Sequence, residues 1–296
     1  MRSRLADEIR PGNVTRSAGL RYPWPTVKAE ADIESSVFFA HRKPEGPLSG
    51  FVQLFWYWSG HPRPFVRERV LPMATVELVI RLESGRTSDS GIAGPRSTPL
   101  IIERHATQQL LGIHFKAGGA FPFLGFPFGE IHNTWITLAD LWGERRASQL
   151  LDRLNDAKTI GHKFALLERW LVWIAAQPLR HHDAIAFALG EFESAPGLRS
   201  SARVAEKVNL SQRRFIDIFR NEVGMAPKLF CRVQRFQEAI ESIQHQQAVD
   251  WADLALSCGY TDQSHFIHEF REFSGLRPSE YLGLRTEHLG HVMFPD

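Results

Sequence analysis

Cysteine is nearly absent from this chain. Two thiols, Cys231 and Cys258, occur in 296 residues, with no CxxC pair and no pair of histidines beside either. That excludes a disulfide framework and gives no zinc or thiol-redox signature. The plain reading is two reduced, buried, small apolar residues. No apolar run approaches the ~18 residues needed to span a bilayer. The opening MRSRLADEIRPGN has no apolar core of the kind a secretory leader needs. A cytoplasmic protein without membrane contact is expected. Charge of one sign is missing too: 35 Lys and Arg stand against 33 Asp and Glu, a net +2. Neither a GxSxG elbow nor a GxxxxGK[ST] phosphate loop occurs, which removes two common grounds for reading an enzyme.

What is present changes texture along the chain. Residues 1–48 are rich in Arg, Pro, Gly and Glu and read as an irregular arm. FVQLFWYW (Phe51–Trp58) is a compact aromatic run. TVELVIRL (Thr75–Leu82) alternates, with Val76, Leu78, Ile80 and Leu82 on one face. QLLGIHF (Gln109–Phe115) is a third strand candidate. Turn signals such as SGHPRP and ESGRTSDSG separate them, so a small antiparallel sheet or barrel is expected. From Thr137 the period becomes helical. LADLWGERRASQLLDRL predicts one or two helices. The next stretch places Ile160, Phe164, Leu167, Leu171 and Ile174 in one apolar row and Leu166, Trp170 and Trp173 in a second. Two rows suit a helix buried within its own fold or one that also meets a second copy of the chain. A joint around Pro178 follows, and residues 181–284 read as helices throughout. The expected boundaries are an arm at 1–48, a β-rich domain ending in helices at 49–178, a helical domain at 181–284 and a tail at 285–296.

The helical third repeats itself. Gln212, Phe215, Phe219, Arg220, Gly224, Pro227 and Phe230 recur 51 residues later as Gln263, Phe266, Phe270, Arg271, Gly275, Pro278 and Tyr281. SARVAEKV precedes the first copy and WADLALSC the second, each joined by a short turn. Ser211 and Asp262 suit the N-caps of the longer helices. Each unit is therefore helix, tight turn, helix, the arrangement that sets a second helix into the DNA major groove. On the longer helices Phe215, Ile218 and Phe219, and in the second copy Phe266, Phe270 and Phe273, form the inner face. The outer faces carry Gln212, Arg213, Ile216, Asp217 and Arg220, and Gln263, Ser264, Ile267, His268 and Arg271. Amides and guanidiniums read purine edges, and an aliphatic group suits the thymine methyl. The plainer alternative is a pair of solvated faces. Ala226–Gln244 reads as one continuous helix of roughly 28 Å. A rigid rod of that length can hold two reading helices about one turn of DNA, ~34 Å, apart.

DLALSCGYTDQSHFIHEFREFSGLRPSEYL and GMAPKLFCRVQRFQEAI resemble the DNA-binding domain of the AraC/XylS family of bacterial transcription regulators. The resemblance covers residues 181–284 and implies two helix-turn-helix subdomains on adjacent major grooves near promoters, with RNA polymerase as a partner. PLSGFVQLFWYW, VLPMATVELVIRL and LLGIHFKAGGAFPFLG, within residues 50–175, resemble the companion domain of a subgroup of these regulators, a β-rich sensor of small-molecule effectors. The chain departs from the family at Asp217, where a basic residue is common, and at His268, where Arg is common. Base preferences at those positions do not carry over. The fold class expected is α+β: a β-rich, barrel-like N-terminal sensor domain with helices and an all-α C-terminal domain of two helix-turn-helix units on a long helix.

Charge divides this domain. Arg199–Arg235 holds nine Lys or Arg against three acids, a balance of +6, and Phe236–Leu284 holds two against eight, a balance of −6. Phosphate contacts supply much of DNA affinity, so the first unit is expected to anchor and the second to read weakly; the alternative is that the acidic half faces RNA polymerase or the sensor domain instead. The aromatic run sets Trp56 and Trp58 on one strand face with Val52 and Leu54, and Phe51, Phe55 and Tyr57 on the other. Such a strand is fully buried or walls a cavity, and Phe55, Trp56 and Trp58 are the effector-binding candidates. The alternative function is a cupin-like metal-dependent enzyme or ligand-binding protein fused to a DNA-binding domain. His105, His114 and His132, with PFGEIH at 127–132, are its only support, and no HxH accompanies them. Some relatives carry a DNA-repair alkyl transferase with a reactive cysteine cluster; the first 180 residues here hold no cysteine. No catalytic, metal or cofactor residue is assigned. A homodimer through the helix around Ile160–Ile174 is expected.

Overall fold

The computed structural model describes residues 38–60, 66–103, 108–175, 179–194, 200–244, 246–286 and 290–295. The stretch 1–37, His105 and the joint at Pro178 lie outside these residues. Strands β1 (Phe38–Arg42), β2 (Val52–Gly60), β3 (Val66–Val70), β4 (Glu77–Leu82), β5 (Gly91–Ala93), β6 (Leu100–Glu103), β7 (Gln108–Phe115) and β8 (Trp135–Thr137) come first, with the short helix α1 (Phe121–Leu124) between β7 and β8. Then follow α2 (Leu138–Trp142), α3 (Glu144–Asp156), α4 (Ile160–Ile174), α5 (Asp183–Ser194), α6 (Ser201–Lys207), α7 (Gln212–Val223), α8 (Pro227–Gln244), α9 (Trp251–Ser257), α10 (Gln263–Ser274), α11 (Pro278–Leu284) and a last strand, β9 (His291–Pro295). The fold is α+β, as the pattern predicts.

Six strands form one antiparallel sheet in the order β1-β2-β7-β4-β5-β8, and β6-β3-β9 form a second. Two strands fall outside the expected domain boundaries. Residues 38–42, inside the expected arm, form β1, because β2 supplies a paired edge for a segment with no alternation of its own. Residues 291–295, expected as tail, form β9 against β3. The strand pairs Arg67 with Phe294 and Arg69 with Val292, more than two hundred residues apart in the chain.

The aromatic strand β2 is buried on both faces. Phe51, Val52, Phe55 and Tyr57 join the core shared by the sheet and α2–α4. Leu54, Trp56 and Trp58 join a smaller core with Phe39 and Leu110. Val52 thus lies opposite Trp56, not beside it as plain alternation predicts, because the register to β7 shifts between Val52 and Leu54. Trp56 packs so flat on Gly112 that a Cβ there would stand 2.3 Å from the indole ring.

The helices follow their local chemistry. Gly143, left-handed at φ 79, splits α2 from α3. Thr137 and Thr159 cap α2 and α4, accepting from Asp140 N at 3.1 Å and His162 N at 3.2 Å. On α4, Phe164, Leu167, Leu171 and Trp170 all face the chain's own core. Trp170 meets Trp142 at 5.5 Å between ring centroids. Only Val172 and Trp173, 50% and 61% exposed, remain outside. Most of the second apolar row is therefore intramolecular. Among the described residues no helix is long and apolar enough to cross a membrane.

Polar side chains are buried inside the sheet. His114 stands 3.7 Å from Glu77 across the β4–β7 pair, and burial pulls its imidazole down to about 3. Burial, then Lys43, also lowers His41, whose ring nitrogens meet no hydrogen-bond partner. Rings held neutral in the native state take up protons on unfolding. Stability should therefore be full above pH ~6.5 and fall as the pH drops toward the native value, by up to about 1.4 kcal/mol per pH unit for each ring. Melts between pH 7.5 and 4.5 should show this fall, and His114→Gln should make it shallower.

Candidate nucleic-acid interface

The repeat maps onto matching geometry. The longer helices begin at Gln212 and Gln263. Ser211 Oγ accepts from Arg214 N at 3.3 Å, and Asp262 Oδ1 from His265 N at 2.8 Å. Both helices end on a left-handed glycine, Gly224 at φ 96 and Gly275 at φ 74, where a side chain would be strained. A proline then starts the next helix, Pro227 for α8 and Pro278 for α11. The shorter helices start at Ser201 and Trp251. Their turns bend at Asn209 and Gly259, both at positive φ. Phe215, Phe219, Phe266, Phe270 and Phe273 are buried in one core with Phe230, Phe236 and Tyr281. The connector α8 has 18 residues, about 27 Å at 1.5 Å each.

The outer faces are largely open. Gln212, Arg213, Asp217 and Arg220 are exposed, as are Gln263, Ser264, His268 and Arg271. Ile216 and Ile267 are half-buried, and Ile267 leans on the helical core. His268 and His265 border a cleft of about 640 Å³ with Lys228, Arg232, Ser200 and Ser201.

Two buried acids organise this surface, and the sequence reading treated both only as charges. Glu269 is 2% exposed. It accepts from Arg232 Nε at 2.7 Å and Arg235 Nη2 at 3.0 Å, while Arg232 Nη2 also reaches Glu272 at 2.5 Å. Two of the cations counted toward a positive first unit are thus spent on α10. Glu222 is 3% exposed. It takes the ring Nδ1 of His181 at 2.6 Å and the backbone N–H of His182 at 3.2 Å. The repeat holds a signal for both: 51 residues apart, Glu222 stands where the second copy has Phe273, and Glu269 where the first has Ile218. A polar residue at an inward position of a repeated helix implies a partner.

The β-rich domain is joined to this surface. Leu71, Ala74 and Ala117 belong to the same core as the helices. Arg69 Nη1 donates to Ser274 O at 2.9 Å, Gln237 Nε2 donates to Pro72 O, and the His181 ring meets that of Phe51 at a tilt, 5.0 Å between centroids. The thiols are quiet: burial raises Cys231 to about 11 and also raises Cys258. Of the weak metal candidates, His114 faces Glu77, and His132 lies near Arg220 and Arg96, a poor place for a cation. Phe55, Trp56 and Trp58 are all buried.

These features define a double helix-turn-helix protein with a β-rich companion domain. Residues 204–283 match the family model described as a helix-turn-helix domain, and residues 40–137 match one described as a domain of unknown function, DUF6597. The match over residues 204–283 supports an AraC-type DNA-binding domain in that part of the chain. It is 36% identical over 80 residues to an uncharacterized HTH-type transcriptional regulator of Haemophilus influenzae, a match that covers 27% of this chain and 26% of that protein. The chain thus spans about a quarter of the length of this curated relative. Among solved structures, a DNA-binding transcriptional dual regulator from Escherichia coli K-12 is 22% identical, with 35% of this chain and 98% of that one covered and a TM-score of 0.30. ToxT from Vibrio cholerae is 9% identical, with 84% and 98% covered and a TM-score of 0.38.

Proposed function

We propose that the chain is a sequence-specific DNA-binding transcription regulator whose N-terminal domain responds to a small-molecule effector. One observation carries the DNA part: two capped reading helices, repeated 51 residues apart, are held on one rigid connector with amide and guanidinium side chains outward. Gln212, Arg213, Ile216, Asp217 and Arg220 form the first reading face, and Gln263, Ser264, Ile267, His268 and Arg271 the second. In this reading the first unit supplies most phosphate contacts, RNA polymerase is the partner at the promoter, and the cytoplasm is the compartment. No catalysis is involved. Phe55, Trp56 and Trp58 would line an effector site only if their packed neighbours moved, and a thermal-shift screen of metabolites tests that. Val172 and Trp173 are the surface for a second copy, which sedimentation at micromolar concentration tests.

The deciding experiment is selection from a random DNA pool with the purified full-length chain. An enriched motif with two half-sites about one helical turn apart is the expected result, and no enrichment would remove the reading. Arg220→Ala should weaken binding to all sequences and lower the salt slope by about one. Gln212→Ala should instead relax preference at one position, by about 1–3 kcal/mol.

A further inference from the structure

The β-rich domain reaches the C-terminal end of the first reading helix. Gly129 lies so close to Arg220 that a Cβ there would stand 2.8 Å from the arginine Cγ and 3.0 Å from its Nε. Gly224, the cap of α7, fits equally closely: an added Cβ would stand 2.4 Å from Pro95 Cγ and 3.2 Å from Phe128 Cβ. Phe128 is fully buried. The loops on either side are tied together. Asn133, left-handed at φ 60, accepts from Ser97 N at 2.8 Å through its side chain. Its own N–H donates to Pro95 O at 3.0 Å, and Gly94 N donates to Thr134 O at 3.0 Å. A braced double loop, 94–98 and 128–134, is therefore lodged beside α7.

This loop brings cations to the reading helix. Burial, then the charges of Arg220 and Arg96, lower the His132 imidazole, so both guanidiniums act electrostatically on this ring. Arg96 Nε donates to Thr98 O at 3.3 Å. Among the described residues neither Arg96 nor Arg220 forms an ion pair, although Glu130 is exposed on the same loop. Gathering unpaired cations is unfavourable unless an anion completes them. Arg220 lies eight residues after Gln212, about 12 Å along the helix, which is about the width of the major groove. A helix whose first residues meet base edges has its far end near the phosphate wall. Pro95, the residue before Arg96, packs against Gly224, the cap that ends α7.

We propose that the N-terminal domain makes its own contact with the DNA backbone, through Arg96 on the double loop that flanks α7. The contact rests on the DNA-binding reading and extends it. The regulator would meet DNA along a wider footprint than its helical domain offers. An effector that shifted the β-rich domain would then alter affinity directly, without first reorienting α7.

The test uses the full-length chain on its selected DNA across a range of salt. One phosphate contact adds about 0.9 to the salt slope, a factor of roughly eight at 0.1 M against 1 M. Arg96→Ala should lower the slope by about one and weaken specific and non-specific binding alike. Arg96→Glu should weaken both further. Hydroxyl-radical footprints should lose backbone protection beside the first half-site only. Thr98→Glu, at an exposed position of the same loop, should reproduce the weakening, so a poorly folded Arg96 variant does not remove the test. Wild-type slope and affinity in both acidic variants would overturn the contact while leaving the regulator reading intact. Tighter binding in Arg96→Glu would overturn it in favour of an obstructing loop. A wild-type chain that binds no DNA would overturn both.

Discussion

Glu269→Ala should destabilise the chain by about 3 kcal/mol, toward the lower end of what breaking a buried ion pair costs. The cost stays near that end because Arg232, unlike Glu269, is partly in solvent: their side chains are 26% and 3% exposed. Arg235 is the costlier orphan. Its side chain is 12% exposed and lies over the Tyr260 ring at 4.8 Å, where water cannot fully replace a carboxylate. For a chain of this size about 3 kcal/mol corresponds to a melting temperature roughly 6–12 °C lower. DNA binding should respond in two opposed ways. The network fixes α10 to α8, so loss of Glu269 loosens the second reading helix and weakens operator binding. It also frees Arg235 and leaves Arg232 with Glu272 alone, so non-specific affinity and its salt slope should rise. Glu269→Gln, which keeps an acceptor, should recover part of the stability but not the charge balance. Melting within about 1 °C of wild type would show that the ion pairs do not hold the two units together.

The double helix-turn-helix was legible because its signals are local. Caps, glycine stops and prolines sit at fixed offsets, and the 51-residue repeat checks each against its copy. The strands of the large sheet were legible for the same reason: Val76, Leu78, Ile80 and Leu82 alternate, and all four are buried. What escaped depends on partners distant in sequence. VRERV at 66–70 is charged and short, and only pairing with β6 and β9 makes it a strand. Val52 changes face because of a register shift that its own sequence does not mark. Trp170 looked available for a partner chain, yet Trp142 covers it. The contact of Gly129 with Arg220 has no one-dimensional signature, because a glycine in a turn and a glycine at a domain seam read alike.

His291→Ala should loosen the link between the two domains as much as deleting residues 290–296 does. His291 is 1% exposed, and its Nδ1 meets the carboxylate of Glu68, itself 7% exposed. Val292 beside it is fully buried, and Leu71 N donates to Gly290 O at 2.8 Å. Removing the imidazole leaves the Glu68 carboxylate with less compensation and a cavity next to it, a combination that costs about 3 kcal/mol or more. An internal strand would have to bear that cost. β9 is an edge strand of its sheet and can detach instead, which regains the conformational entropy of its residues. The loss is therefore capped at the free energy that holds β9 in place, and the point variant and the deletion should converge. Hydrogen exchange reads this directly. Amides of β3 that bond to β9 should lose up to about a hundredfold in protection in both variants, while β2 and β7 amides keep theirs. Calorimetry should show the wild type melting in one transition, because Leu71, Ala74 and Ala117 share the helical core, and both variants should show a broadened or split one. Arg69 to Ser274 and Gln237 to Pro72 would remain as polar ties across the seam, so separation should stay incomplete. If exchange at β3 matches wild type in the deletion, β9 contributes nothing to the joint, and the domains are held by the apolar seam alone.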